Sequence, residues 1–197
     1  IQDKPSMEKT FADMEKNWSF EIKKLIETEN FLSLRDELKR HVITCMTFQL
    51  LRTKQFRKDI ASMANSIIGL FLESKGLQKD AAKLSREGEI KQHLNMLKDY
   101  PRFATIISQM KFCVVTNKTP VPLWTSDNPI NLQNDLPPEP PFSNMGLACR
   151  GIEIHFPLNS RLALVALDPT TFQDAPDCYE VYAKRLIHRE NYYQFLN

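Results

Sequence analysis

Prolines divide this chain of 197 residues into two unlike parts. Residues 1–111 contain two prolines, whereas residues 112–197 contain ten. Proline lacks a backbone N–H and its ring clashes with the preceding helical turn, so helix interiors largely exclude it. The first part can therefore form long helices and the second largely cannot. This distribution predicts an α+β protein, in which an N-terminal helical half, residues 1–111, packs on a small, mostly antiparallel sheet formed by residues 112–197.

Apolar residues in the first half recur at spacings of three and four, which predicts amphipathic helices. The first helix is expected from Ser6 to Thr28, with an apolar stripe formed by Phe11, Met14, Trp18, Ile22, Leu25 and Ile26. Ser33 is expected to cap a second helical run, which meets no proline or glycine before Gly69. That run predicts one long helix or two nearly collinear ones. Gly76 predicts a helix end, and Pro101 predicts the first turn of a later helix.

Short β-branched and alternating runs replace the helical pattern after residue 111. Arg161 to Leu167 is almost continuously apolar and predicts an interior strand, while Ile152 to Phe156 alternates as a half-buried strand does. The proline-rich stretch 134–146 predicts an irregular loop. Further strands are expected at Phe112–Thr116, Leu123–Thr125 and Tyr179–Ala183, and a helix is expected to start at Arg189.

The composition is that of a soluble globular protein, with 42% apolar and 25% charged residues. A chain of this length is predicted to form a single domain over residues 1–197. It contains no apolar run of the roughly 18 residues that a membrane helix requires, and its first residues lack a signal-peptide pattern. We therefore predict a cytoplasmic protein with no membrane partner. The sequence does not indicate an oligomeric state.

Neither a metal site nor a cofactor is predicted. The four cysteines, Cys45, Cys113, Cys149 and Cys178, form no CxxC pair, which predicts free thiols in a reducing compartment. His41 and Cys45 stand four apart on a helix but lack a third ligand. No Walker-type loop, GxGxxG or HExxH occurs.

Charge is unevenly placed along the chain. Residues 1–111 hold 20 Lys and Arg against 15 Asp and Glu, and residues 112–197 hold 6 against 9. Nucleic-acid binding usually requires a concentrated basic face. The excess in the first half is too small to predict nucleic acid as a partner, although it leaves that alternative open.

The helical run Phe48–Thr53 places Gln49 and Arg52 three apart on one helix face, within apolar surroundings. Arginine has a permanent charge and a flat fork of donors, which suits it to an anionic or amide-bearing ligand. Gln49 and Arg52 are therefore candidate ligand-binding residues. The alternative is structural: Arg52 pairs with a carboxylate or caps carbonyl groups, and Gln49 links helices.

A second polar motif, Thr125–Pro129, follows an apolar stretch at an expected strand-to-loop junction, where sites often lie. Ser126, Asp127 and Asn128 are candidate ligand-binding residues, and Asp127 is also a candidate catalytic base. We expect this motif to approach Arg52, whose charge would lower the pKa of Asp127 and favour an orienting role. The alternative is an Asx-type turn, in which Asp127 accepts backbone N–H groups.

His155 is the other candidate catalytic residue. It shares one face of an expected strand with Glu153, because side chains two residues apart in a strand point the same way. One interpretation is an acid–imidazole pair that faces a site. The other places both side chains on the solvent-exposed face of the sheet.

Three motifs occur in order along the chain: Phe48-Gln49-x-x-Arg52-Thr53, then Thr125–Pro129, then Gly151–Leu158. In order and spacing they resemble the bacterial family known as domain of unknown function 4238. Members of that family typically open with a His-Tyr-x-Pro segment, which has no match in this sequence, and continue past an Asn-containing helix like Glu190–Tyr193. The resemblance implies a longer protein with part of any site outside these residues, and it implies no activity.

Three functions are compatible with these patterns. The favoured one is a pocket between helices and sheet, built from Gln49, Arg52 and the loop Ser126–Asn128, that binds a small polar or anionic ligand. The second is a hydrolase acting on phosphodiester or nucleic-acid-like substrates, which would use Asp127 with an imidazole from His155. The third is a structural or interaction protein, in which a buried polar network fixes the docking of helices on the sheet.

Overall fold

A computed structural model describes residues 7–76, 86–126, 128–138 and 145–196 of the chain. Within these ranges five helices precede five strands, and a sixth helix follows. The helices α1 to α5 cover Met7–Thr28, Asp36–Leu51, Lys54–Ser74, Arg86–Lys98 and Tyr100–Ser108. The strands β1 to β5 cover Lys111–Asn117, Asn131–Gln133, Glu153–Pro157, Leu162–Leu167 and Cys178–Val181, and α6 covers Lys184–Leu196. The predicted α+β class is confirmed.

The strands form one five-stranded sheet in the order β2-β3-β4-β1-β5. β4 pairs antiparallel with both β1 and β3, and β2 pairs antiparallel with β3. β5 runs parallel to β1, so the sheet is mixed but mostly antiparallel, as predicted. Every residue of β4 is buried, which confirms the interior strand expected from its continuous apolar run.

Different helices cover the two faces of this sheet. Side chains alternate along a strand, so Val114 and Leu164 point to one face, where they join the main core with residues of α1, α2 and α5. Ala163 points to the opposite face and packs with Ile187 of α6. The helical half packs on one face, as predicted, while the cover that α6 provides for the second face was not predicted.

The helical run after residue 34 is divided in two by Arg52 and Thr53. Thr53 Oγ1 accepts a hydrogen bond from Phe56 N at 3.1 Å and so caps the start of α3. The sequence pattern predicted that Thr53 lies inside a helical run, but it is the N-cap residue of α3. No helix among the described residues is both long and apolar enough to cross a membrane.

The expectation that Ser33 caps a helix was wrong. The helix α2 begins at Asp36, after Arg35, whose side chain makes no capping bond. The hydroxyl of Ser33 instead donates to Asn30 O at 2.8 Å, in the turn that follows α1. Short polar side chains stabilise turns as readily as helix starts, which explains the error.

The helix end predicted at Gly76 and the first helical turn predicted at Pro101 are both confirmed. Gly76 follows the last turn of α3 with a φ of 71°, the left-handed conformation that glycine adopts without strain. Pro101 lies in the first turn of α5, where its missing N–H has no helical partner to lose.

The expected strand Leu123–Thr125 does not form. Both sides of β1, the strand that precedes this segment, are already occupied by β4 and β5, so the segment cannot pair with β1. Leu123 N donates instead to Ser160 O at 2.9 Å, in an irregular stretch. The sequence analysis did not predict β2, Asn131–Gln133, because this strand is only three residues long and two of them are polar.

Candidate functional site

The loop Ser126–Asn128 is attached to α6. Ser126 Oγ lies 2.9 Å from Asn128 O and 3.1 Å from Gln194 Oε1, and it accepts the Asn128 N–H at 3.2 Å. Gln194 Nε2 donates to Pro129 O at 3.0 Å. Asn128 Oδ1 is buried, and no group among the described residues donates to it. Asp127, the third residue predicted here, lies outside the described residues.

Asn191 of α6 fixes the segment that leads into this loop. Its Oδ1 accepts the Trp124 N–H at 2.8 Å, and its Nδ2 donates to Pro122 O at 2.8 Å. The Asn191 side chain is buried, so these bonds form away from water. One amide group thus satisfies a donor and an acceptor of a segment that has no neighbouring strand.

The other half of the predicted site lies in the helical layer. Arg52, at the end of α2, donates from Nη1 to Glu15 Oε1 of α1. Gln49 Oε1 is buried and accepts no hydrogen bond from the described residues. Burial raises the pKa of the nearby Cys45 thiol to about 12, so this thiol is not a nucleophile at neutral pH.

The described contacts of the two predicted motifs involve helices on opposite faces of the sheet. Arg52 contacts α1, whose Trp18 and Leu25 belong to the main core, whereas Ser126 contacts α6. The pairing of Arg52 with Asp127 stays a prediction, because Asp127 lies outside the described residues.

His155 lies between two carboxylates beneath α6. Its Nε2 is 3.1 Å from Glu153 Oε2, and its Nδ1 is 3.1 Å from Glu190 Oε2. The expectation that Glu153 and His155 share a strand face is confirmed. The alternative that this face is solvent-exposed was wrong, because His155 is buried and α6 covers it.

The two carboxylates determine the charge of His155. Burial by itself lowers the pKa of His155, but hydrogen bonds to Glu153 and Glu190 outweigh burial and raise it to about 9. Both ring nitrogens are therefore protonated at neutral pH, and each donates to one carboxylate. An imidazolium has no lone pair with which to accept a proton, so the geometry does not supply a general base here at neutral pH.

Four residues that the sequence analysis did not select extend this network. Gln133 Nε2 lies 3.2 Å from both carboxylate oxygens of Glu190, and Gln133 Oε1 accepts from Arg189 Nη2 at 3.1 Å. Arg189 Nη1 donates to Asp135 Oδ2 at 3.0 Å. Burial raises the pKa of Glu190, but the hydrogen bonds from His155 and Gln133 and the positive charges of His155 and Arg189 together outweigh burial and lower this pKa. The network joins β2, β3 and α6, which favours a structural role for it.

A pattern that marks the docked face of α6, although not its partners, is present in the sequence. Ile187, Glu190, Asn191 and Gln194 follow the i, i+3, i+4, i+7 spacing of one helix face. Three of these four residues are polar, and a search for apolar stripes passes over them. The sequence analysis did not consider that polar residues at helical spacing can also mark the face by which a helix packs.

A surface groove of about 250 Å³ lies between α6 and the segment 121–124. Trp124, Tyr192 and Phe195 on its walls are 53%, 59% and 78% exposed. Large aromatic side chains gathered on a surface often mark a binding site. Among the described residues, the groove is lined by Val121, Trp124, His188, Asn191, Tyr192 and Phe195.

The described residues contain no group of three or more His, Cys, Asp or Glu side chains arranged to hold a metal ion. His41, considered above with Cys45, instead lies 3.0 Å from Glu21 Oε1 through its Nδ1. What the site offers chemically is aromatic surface and hydrogen-bonding groups at fixed positions.

The model of a family described as "Protein of unknown function (DUF4238)" matches residues 1–197 of the chain. No curated protein and no solved structure matches it.

Proposed function

We propose that this chain, which belongs to the DUF4238 family of proteins of unknown function, binds a small ligand with a flat ring and a polar group. The ring would lie in the groove between α6 and residues 121–124. The observation that carries the proposal is the exposure of Trp124, Tyr192 and Phe195 around one groove. Exposed aromatic side chains stack on flat ligands, and such stacking contributes about 1–3 kcal/mol per ring.

The rigidity of the groove supports binding. Its wall at Trp124 has no strand partner, yet the two hydrogen bonds from Asn191 hold it against α6. A wall that is fixed before the ligand arrives loses little conformational entropy on binding.

A polar group on the ring itself would lie beside the loop Ser126–Asn128, which begins two residues after Trp124. Ser126, Asp127 and Asn128 are the proposed contacts. For Gln49 and Arg52, ligand contact stays a prediction of the sequence alone. The ion pair between Arg52 and Glu15 favours the structural interpretation of that motif.

A hydrolase has less support than a binding protein. The raised pKa of His155 and its two carboxylate partners favour a fixed imidazolium, which positions α6 rather than moving a proton. The proposal therefore assigns His155 to the structural network and the ligand to the groove.

The neutral dye N-phenyl-1-naphthylamine, whose fluorescence rises in apolar surroundings, tests the groove. We expect saturable binding by the wild-type chain, and a loss of about tenfold or more in affinity for Trp124→Ala, since one stacked ring contributes about 1–3 kcal/mol. The Trp124 side chain is more than half exposed, so its removal should leave the fold intact, which circular dichroism would verify.

Phe71 provides the matched control, because this aromatic side chain is 61% exposed but lies on α3, away from the groove. Phe71→Ala should leave the dye affinity within about twofold of wild type. Equal losses in both variants, or a loss in Phe71→Ala alone, would show that the dye binds elsewhere and would overturn the proposal.

A further inference from the structure

Two basic residues, Lys184 and Arg185, precede the aromatic residues on the helix that forms one side of the groove, and we infer that the ligand is an aromatic ring joined to a phosphate group, the chemistry of a nucleotide. This inference rests on the proposed function and adds the ligand class to it. Its structural basis is the position of Lys184 and Arg185 on the helix that forms one side of the groove.

The basic and aromatic residues share one side of α6. At 100° per residue, Lys184, Arg185, His188, Tyr192 and Phe195 fall within a sector of about 100° around the helix axis. His188, Tyr192 and Phe195 line the groove, and Lys184 and Arg185 lie one turn before His188 on the same side. The contacts of the helix with the sheet and the loop, made by Ile187, Glu190 and Gln194, lie on a different side. A ligand whose ring lies against the aromatic residues of α6 therefore has Lys184 and Arg185 further along the same side of the helix.

The positive charge at this end is local. Residues 112–197 carry only 6 Lys and Arg against 9 Asp and Glu, yet three of those six occur between Lys184 and Arg189. Arg189 is engaged with Asp135, whereas no carboxylate among the described residues pairs with Lys184 or Arg185.

The nearest acidic side chain in sequence is already occupied. Glu180, in the edge strand before α6, lies 3.1 Å from Lys118 Nζ and accepts from Tyr182 Oη at 2.6 Å. Among the described residues, no carboxylate therefore competes with an external anion for the guanidinium of Arg185 or the ammonium of Lys184. Both groups are suited to phosphate, the arginine as a fork of donors and the lysine as a point charge.

The spacing of basic and aromatic residues along α6 indicates how far apart the ring and the anionic group of the ligand should be. Arg185 and Tyr192 are seven residues apart, which corresponds to about 10 Å along the helix axis. A nucleoside phosphate places a sugar between its base and its anion, and so suits the interval.

A free nucleotide and the end of a single-stranded nucleic acid present the same chemistry. Stacking of bases on exposed aromatic residues and contacts of phosphates with basic ones are common to both. The test therefore includes an arm that separates the two sources.

Displacement of N-phenyl-1-naphthylamine provides the measurement. Adenosine and adenosine monophosphate differ only by the phosphate, so their displacement constants isolate its contribution. We expect the monophosphate to displace the dye at a concentration about tenfold lower than adenosine. In Lys184→Ala/Arg185→Ala the two compounds should displace the dye at equal concentrations, while binding of the neutral dye stays unchanged.

A pentamer of deoxyadenosine provides the second arm of the test. Displacement at a lower concentration than the monophosphate identifies a single strand as the source, and displacement at an equal concentration identifies the free nucleotide.

Lys98→Ala/Arg102→Ala is the matched control, since both residues are exposed basic side chains in the helical half. It should retain the preference for the monophosphate. If wild type binds the dye but adenosine and its monophosphate displace it equally, the phosphate inference fails and the proposed groove stands. If the dye does not bind at the groove, the proposed function itself fails.

Discussion

At the scale of single residues, Asp168 shows how one carboxylate organises a loop. Its two oxygens accept the N–H groups of Gly151, Thr170 and Thr171, at 2.8, 3.0 and 3.2 Å, together with both threonine hydroxyls. Burial raises the pKa of this carboxyl, but these donors outweigh burial and hold the pKa well below its usual range. Asp168 therefore stays ionised and connects the turn after β4 to the start of β3.

Asp168→Asn should lower the free energy of unfolding at pH 7 by about 2 kcal/mol, because hydrogen bonds to a charged acceptor each contribute about 1.5–3 kcal/mol and the amide replaces only part of them. Urea denaturation would measure the change. The exposed Asp174, six residues later, offers a control: Asp174→Asn should change stability by less than about 0.5 kcal/mol. Equal effects in the two variants would contradict the role assigned to Asp168.

Residues with a strong backbone preference were predictable, and residues that act through partners were not. Gly76 and Pro101 have conformations that their own chemistry dictates, so their positions followed from the sequence. The same holds for the shared face of Glu153 and His155, which strand geometry fixes. The partner of His155 on α6 is 35 residues further along, and no local pattern indicates that contact.

At the scale of elements, α6 is attached to the sheet mainly through polar side chains. Glu190 contacts β2 and β3, Asn191 contacts the segment before the loop, and Gln194 contacts the loop itself. A small apolar cluster around Ile187 adds to these contacts. The groove exists because this helix and residues 121–124 are held side by side.

Asn191→Ala should loosen that wall. The substitution leaves Trp124 N–H and Pro122 C=O without their partner, at a cost of about 1–3 kcal/mol for each group that stays buried. Hydrogen exchange followed by NMR should show faster exchange of the Trp124 amide, while amides of β4 change only through the global loss of stability. In Asn95→Ala, at an exposed position on α4, exchange at Trp124 should stay at the wild-type rate. Unchanged exchange in Asn191→Ala would refute the role of Asn191 in fixing the groove.

The strength of the apolar pattern decides which elements the sequence reveals. β4, with six buried residues, was predicted from its continuous apolar run, and the helices of the first half were predicted from their periodicity. β2 and the docked face of α6 are mostly polar, so hydrophobic periodicity does not detect them. The expected strand at Leu123–Thr125 failed for a different reason, because a strand also needs a free neighbour and β1 has none.

At the scale of the whole molecule, stability should depend on pH through His155. The groups that face its imidazole are Glu153 from its own strand and Glu190 from α6, with Val165 beside it on β4. Gln133, Arg189 and Asp135 lie beyond Glu190 in the same network. The pKa is raised from 6.5 to about 9 on folding, so the charged imidazole stabilises the fold fully below pH 6.5 and loses this contribution as the pH rises through 9.

The free energy of unfolding should therefore fall by about 3 kcal/mol between pH 6 and pH 10 through this group, at 1.36 kcal/mol per unit of pKa shift. Urea denaturation across that range, with wild type compared to His155→Gln, tests this contribution, since the variant lacks the imidazole and retains both carboxylates. His188→Gln, at an exposed position on α6, should retain the wild-type slope. A His155→Gln profile parallel to that of wild type would contradict the charged state assigned to His155.

The central claim is that the groove at Trp124 binds a flat ring, and the two tryptophans of the chain allow its most direct test. Trp18 is buried, at 9% exposure, on α1, while Trp124 is exposed on the groove wall, so an ¹⁵N-labelled protein gives one indole N–H signal from each environment. Titration with unlabelled indole, a neutral flat ring, should shift the Trp124 signal saturably and leave the Trp18 signal in place. A Trp124 signal that stays unmoved while other resonances shift would contradict the account.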